Sequence, residues 1–329
     1  MQYPKRFTRE IIEALEIFRF SDEHEFRNRF IGLSIDFFPI YIEIGLIILF
    51  LLKVDPSILL FLSILSFFYA LFHFYKIFID TKNVVLKKYE IKIPGLTKEV
   101  SFIFVSDMHY GPEYYGADAT KIRKMVDLIN SRNKDLVIFG GDFVCRKLDS
   151  SIATEYAKVK AEDVIGIYGN HDSLYLNEKQ GAEMPVRFLE SMNGSGIKFL
   201  NNEGFKYGDI YFGGITDICS MNLDVEKAFE EGKGDETRVL LSHHPDIFDF
   251  IKEEDNISLV LSGHTHGGQI YLPVVGSVLT IPCRNTNLVK GLYQITDKLQ
   301  LFISMGAGFS STRMRLGTQC EVCEITLTN

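Results

Sequence analysis

The hydrophobic positions of this chain divide it in two. Residues 57–75 (SILLFLSILSFFYALFHFY) run for nineteen positions without a formal charge. A helix needs roughly 20 residues to cross a bilayer. The run is apolar on every face, whereas a surface helix keeps a polar stripe. It predicts a transmembrane helix, against the alternative of a helix buried in a core. Residues 31–52 are apolar in bulk but contain Asp36, Pro39 and Glu43. A carboxylate deep in a span costs on the order of 2–3 kcal/mol, so Glu43 must lie near an interface or have a partner. The expectation is a second span joined to the first through the link 53–56; an interfacial helix lying on the membrane is the alternative. Residues 31–80 thus read as a membrane anchor. Residues 1–30 are polar and charged with helical leanings, and carry no signal-peptide pattern. Arg19, Arg27 and Arg29 precede the pair, and Lys76, Lys82, Lys87 and Lys88 follow it. The inner link holds only Lys53, so both tails are expected on the cytoplasmic side of the cell membrane.

Beyond Asp80 the pattern changes to short β-rich runs alternating with helical stretches. Strands are predicted at 100–106, 136–140, 164–168, 209–215, 239–242, 258–261, 299–304 and 321–327. Helices are predicted at 117–130, 185–192 and 247–252; the first places Ile122, Met125, Val126 and Ile129 at helical spacing. The class is α/β with later antiparallel hairpins, and 81–329 reads as one domain without internal repeats. Composition adds little: net charge is −8, which disfavours a nucleic-acid partner. Mean hydropathy is +0.07, high for a soluble enzyme, and the excess is local. Five cysteines at irregular spacing do not resemble a secreted disulfide framework.

The polar residues that end the strands change the picture. After 100–105 come Asp107 and His109; after 136–139, Gly140-Gly141-Asp142; after 165–168, Gly169-Asn170-His171-Asp172. After 239–241 come His243 and His244; after 259–261, Gly263-His264-Thr265-His266. In an extended segment, side chains two apart point the same way, so Asp107 and His109, or His264 and His266, are expected to share a side. Alone, each block is ordinary turn chemistry. Yet six of the eight histidines sit in these loops. The carboxyl ends of parallel strands lie at one edge, so five such loops converge on one crevice. The joint pattern, each block directly after a strand, points to a metal site.

The ordered blocks Asp-x-His, Gly-Asp, Gly-Asn-His-Asp, His and Gly-His-x-His resemble those of the calcineurin-like metallophosphoesterases, from about Val100 to the C-terminus. The stretch 263–270 (GHTHGGQI), with Leu272-Pro273, Gly276, Pro282 and Gly291-Leu292-Tyr293, is similar to a membrane-associated branch that includes UDP-2,3-diacylglucosamine pyrophosphohydrolases. The resemblance implies a four-layer α/β/β/α sandwich after the transmembrane hairpin. It implies two divalent ions, Mn²⁺ first: one on Asp107, His109 and His266, one on Asn170, His243 and His264, with Asp142 bridging. It implies that His171 is catalytic rather than a ligand, contacting phosphoryl oxygens or protonating the leaving group, and oriented by Asp107 or Asp172. Two cations about 3.5–4 Å apart can share a hydroxide for in-line attack. The implied activity is hydrolysis of a phosphodiester or pyrophosphate in a membrane lipid or lipid-linked substrate. Soluble nucleotides or phospholipid headgroups are the alternative substrates, and an inactive metal-binding scaffold the alternative class.

Other features have plainer readings. Cys145 is expected to pack, and Cys320-x-x-Cys323 to be structural. Arg284, Arg313 and Arg315 are surface charges or phosphate contacts. The apolar stretch 271–282 is a hairpin packed on the sheet, or a contact to the bilayer or an acyl chain.

Overall fold

A computed structural model describes residues 30–111, 117–145, 151–173, 186–215, 217–218, 223–232, 234, 236–279, 283–310 and 312–329. The expectations for 1–29, with Arg19, Arg27 and Arg29, and for Pro185 and Pro282 lie outside these residues. The run Val100–Val105, apolar but for Ser101, buries its last four residues completely, as a strand covered on both faces requires. It is β2, after β1 (Val85–Lys92). Next come β3 (Leu136–Gly140), β4 (Asp163–Ile167) and β5 (Lys198–Phe199). They are followed by β6 (Glu203–Tyr207), β7 (Ile210–Gly214), β8 (Thr237–Leu241) and β9 (Ile257–Ser262). β10 (Tyr271–Leu272) and β11 (Gly276–Ser277) form a small hairpin. β12 (Gly291–Gln294), β13 (Gln300–Ile303) and β14 (Glu321–Thr328) complete the set.

These strands build two six-stranded sheets, ordered β1-β14-β2-β3-β4-β5 and β12-β13-β9-β8-β7-β6. β2, β3 and β4 are mutually parallel, and so are β7, β8, β9 and β13. Each sheet therefore gathers several strand C-termini at one edge. Between the sheets, Phe102, Phe104 and Ile138 share a core with Phe212, Leu241 and Phe302. Phe102 and Phe212 meet edge to face with ring centroids 5.6 Å apart. Outside the first sheet packs a helix, Ala119–Asn130, capped by Asp118, whose side chain accepts from the Lys121 amide at 2.8 Å. Its predicted stripe of Ile122, Met125, Val126 and Ile129 is the face it buries. The outer face of the second sheet is covered by Ala228, Phe229 and Ile247. The segment predicted as helix 247–252 is instead a 3₁₀ turn, Pro245–Phe250, whose proline opens it early.

The helices α1 (Phe38–Leu51) and α2 (Pro56–Phe74) pack side by side before the first sheet. The helical segment Pro56–Lys82 is long and apolar enough to cross a membrane. The predicted run 31–52 is not one straight helix: Phe30–Asp36 meets α1 at 63°. Pro39 is the cause, having no N–H for the carbonyl four residues back, at Ile35. The His73 ring takes that carbonyl, Nε2 donating at 2.8 Å. Glu43 has its partner: Ser66 Oγ on α2 donates to it at 2.6 Å. Asp36 reaches the two-sheet half, accepting from Thr312 Oγ at 2.5 Å. Lys87 and Lys88, read from sequence as a flank of the anchor, belong to β1 and face Glu321 and Glu324 at 3.8 and 4.0 Å.

Candidate metal centre

The five predicted loops meet at the strand ends through hydrogen bonds from backbone amides, that of His171 donating to Asp142 Oδ1 at 2.9 Å. The Asp107 amide donates to Gly141 O, and the His109 amide to Asp142 O, both at 2.9 Å. The Gly263 amide donates to His243 O at 3.1 Å, and the His264 amide to the Asp107 carboxylate at 3.0 and 3.1 Å. The extended-chain argument for Asp107/His109 and His264/His266 does not hold. Asp107, His109, Asp142, His264 and His266 all have positive φ, from 47 to 71°. Five L-residues in the left-handed region within one site is backbone strain of the kind that clusters at functional centres. Two glycines make the crowding possible. A Cβ at Gly169 would stand 2.2 Å from Asp142 Oδ1, and one at Gly263 2.4 Å from Asp107 Oδ2.

The side chains collect in two groups. Asp107, His109 and His266 bring one donor atom each within 4.8 Å of one another, and Asp142, His243 and His264 do the same. Asp142 Oδ2 stands between them, 3.4 Å from His109 Nε2 and 3.1 Å from His243 Nε2. Asn170, next to Gly169, has its Oδ1 buried without a hydrogen-bond partner among the described residues.

The charges of this arrangement favour a proton or a cation at its centre. His243 Nδ1 lies 2.8 Å from the Gly140 carbonyl, which only accepts, so Nδ1 carries the proton. A neutral ring would then set its Nε2 lone pair against the Asp142 carboxylate. A proton or a metal ion there removes the conflict. Burial works against a charged His243, but the Asp142 and Asp107 carboxylates outweigh it and push its pKa up to about 10. Burial alone would likewise raise Asp142; the His243 and His171 imidazoles reverse this and hold it well below the carboxylate range. His109 Nε2 and His266 Nε2 face each other at 2.9 Å, and desolvation lowers the pKa of both. Opposed imidazole nitrogens beside two carboxylates fit divalent ions well.

His171 is partly exposed, its ring edge-on to His109 with centroids 4.5 Å apart. Desolvation in the cleft pushes its pKa down to about 3. Asp172 accepts from the Phe143 and Val144 amides at 2.9 and 3.1 Å and from the Gly169 amide at 3.0 Å, tying two site loops together. His244 lies against His264, ring centroids 3.5 Å apart, in a group with Cys283. Cys145, expected only to pack, also brings its sulfur within 4.8 Å of donor nitrogens on His109 and His171.

Arg315 corrects a sequence expectation. It is buried, so it is not a solvated surface charge. Its guanidinium donates to the carbonyls of His266 at 3.1 Å, Met305 at 2.8 Å and Gly308 at 2.7 Å, bracing the Gly-His-x-His turn. Arg284 is a surface residue whose Nη1 faces Asp249 at 3.4 Å. Gln269, quoted in the motif without a role, pins the loop beyond it: Nε2 donates to Ser310 O and Thr312 O at 2.6 and 2.7 Å. Cys320 and Cys323 are free and buried, one against Lys121 Nζ at 3.0 Å, the other near Ser304 Oγ at 3.7 Å.

Residues 100–268, which hold Asp107, His109, Asp142, Asn170, His171, His243, His264 and His266, match the family model described as calcineurin-like phosphoesterase. The chain belongs to this family. An "uncharacterized metallophosphoesterase" of Helicobacter pylori is 28% identical over 250 residues, covering 74% of this chain and 63% of the relative. A "transmembrane protein with metallophosphoesterase domain" of Danio rerio is 27% identical over 256 residues, covering 72% of this chain and 55% of the relative. The chain thus spans less than two thirds of these relatives' own length. Among solved structures, the NAD nucleotidase of Haemophilus influenzae aligns with TM-score 0.41 and 15% identity, over 65% of this chain and 46% of the other.

Proposed function

We propose that this chain is a membrane-anchored, two-metal phosphohydrolase. The observation that carries the reading is the pair of donor groups with the Asp142 carboxylate between them. Asp107, His109 and His266 would hold one ion, and Asn170, His243 and His264 the other, with Asp142 shared. Mn²⁺ is the first expectation, and Fe or Zn²⁺ fits the same donors. When bound, two divalent cations neutralise charge on a phosphoryl group and lower the pKa of water toward neutrality. Arg315 and Asp172 keep the donor loops in register from behind. Desolvation keeps His171 neutral near pH 7, which favours a hydrogen bond to a phosphoryl oxygen over protonation of the leaving group.

The substrate class follows from the anchor. Two apolar helices precede the catalytic half, and the Danio rerio relative is named a transmembrane protein. Anchoring raises the effective concentration of membrane substrates. The reading is therefore a phosphodiester or pyrophosphate in a lipid or lipid-linked molecule, such as UDP-2,3-diacylglucosamine, at the cytoplasmic face of the cell membrane.

The test is hydrolysis of bis-p-nitrophenyl phosphate by the purified chain after chelation and return of Mn²⁺. Turnover returns with the metal, and falls by on the order of 10²-fold or more in His171→Ala and to background in Asp142→Ala. No turnover with Mn²⁺, Fe²⁺ or Zn²⁺ favours an inactive scaffold. A substrate screen read by mass spectrometry then separates lipid-linked substrates from soluble nucleotides.

A further inference from the structure

The β10–β11 hairpin carries a surface that folding does not explain. Residues 270–279 (IYLPVVGSVL) contain no charge. At the tip, Val274 is fully exposed (107%) and Val275 largely so (72%). Val274 also has φ 71°, a left-handed conformation that a β-branched side chain adopts at a cost and that glycine or asparagine would adopt more easily. An exposed, strained valine followed by another exposed valine is a poor choice for a turn in water.

The hairpin's base is tied to both the anchor and the metal centre. Ile270 is buried in a small cluster with Ile77 and Met314, with Ile35 and Leu316 at its margin. Ile35 and Ile77 lie at the catalytic-domain end of the two apolar helices. Tyr271 donates its amide to Leu316 O at 2.8 Å, and Lys290 Nζ sits 4.3 Å from the Tyr271 ring centroid. An aromatic ring with a lysine above it is a pairing suited to a lipid–water interface. On the other side, Ser277 Oγ donates to Gly268 O at 3.0 Å, two residues beyond His266.

We propose that the hairpin tip, Val274 and Val275, inserts into the same leaflet that receives the helical hairpin, and so seats the metal centre at the lipid surface. This rests on the membrane-anchored reading above. The occupant is a lipid bilayer, because the apolar tip continues the apolar surface of α1 and α2 through the Ile35–Ile77–Ile270 contact.

The chain has no tryptophan, so single tryptophans report their own surroundings. Three full-length variants are reconstituted in phosphatidylcholine–phosphatidylglycerol vesicles with and without brominated acyl chains: Val275→Trp, Leu60→Trp in α2, and Lys206→Trp on the far edge strand β6. Hydrolysis of bis-p-nitrophenyl phosphate confirms that each variant is folded. The proposal predicts bromine quenching and blue-shifted emission for Val275→Trp and Leu60→Trp, and neither for Lys206→Trp. Quenching of Leu60→Trp alone overturns the hairpin proposal and leaves the anchor standing. Quenching of neither overturns both. Blue-shifted Val275→Trp emission without bromine quenching assigns the tip to a second copy of the chain and overturns the proposal.

Discussion

His243 and Asp142 set the proton chemistry of the site. With the His243 pKa pushed up to about 10, the metal-free protein carries this imidazole protonated near pH 7. As the proposed metal ligand His243 must be neutral, so metal uptake would release that proton. Calorimetry of Mn²⁺ binding in buffers of different ionisation heat is expected to show release of about one proton from this residue near pH 7, and tighter binding as pH rises. No buffer dependence would mean that His243 is already neutral. The sign for stability runs the other way in the metal-free chain. The folded pKa lies above the ordinary value of 6.5, so the stabilisation is complete below about pH 6.5 and is lost as pH rises through about 10. Gly169 gives a steric prediction. Its absent Cβ leaves room for Asp142 Oδ1 at 2.2 Å, so Gly169→Ala must displace the carboxylate or His243. A displacement of about 1 Å costs on the order of 10²-fold in turnover, expected with an unchanged far-ultraviolet circular dichroism spectrum. Wild-type turnover would show that the loop relaxes.

The elements show what the sequence carried and what it hid. All eight predicted strands exist, and each lies inside a sheet. The sheet strands without a sequence prediction, β1, β5, β6 and β12, are the four edges. An inner strand is covered on both faces and reads as an apolar run; an edge strand is half solvated and reads as mixed. β1 shows the effect: Lys87 and Lys88 interrupt it, and its pairing to β14 depends on residues more than 200 positions away. The site's donor types were legible because polar residues stop the apolar runs abruptly. The turn geometry was not, because positive φ at five non-glycine residues is imposed by the neighbouring loops. Nor was the burial of Arg315, whose carbonyl partners come from separate loops. The anchor belongs to this scale as well. If α1 and α2 form a hairpin with both ends cytoplasmic, Lys53→Cys in the connecting turn is expected to react with a membrane-impermeant maleimide from outside intact cells. Labelling only after lysis would place the turn inside and reverse the orientation.

At the scale of the molecule, the two apolar helices and the donor cluster are mechanically joined. Asp36 accepts from Thr312 Oγ, and Gln269, three residues past His266, pins Thr312 O and Ser310 O. The helices therefore hold the loop that borders the donor cluster, rather than tethering a free domain through a linker. This suits the proposed reading, in which the substrate arrives from a lipid surface. The central claim beneath it is a centre of two ions that share Asp142. The most direct measurement is the metal content of the purified full chain after Mn²⁺ loading and dialysis, read by inductively coupled plasma mass spectrometry. The account predicts two ions per chain in the wild type, two in His171→Ala and fewer than one in Asp142→Ala. One ion or none in the wild type, or two retained in Asp142→Ala, would contradict it.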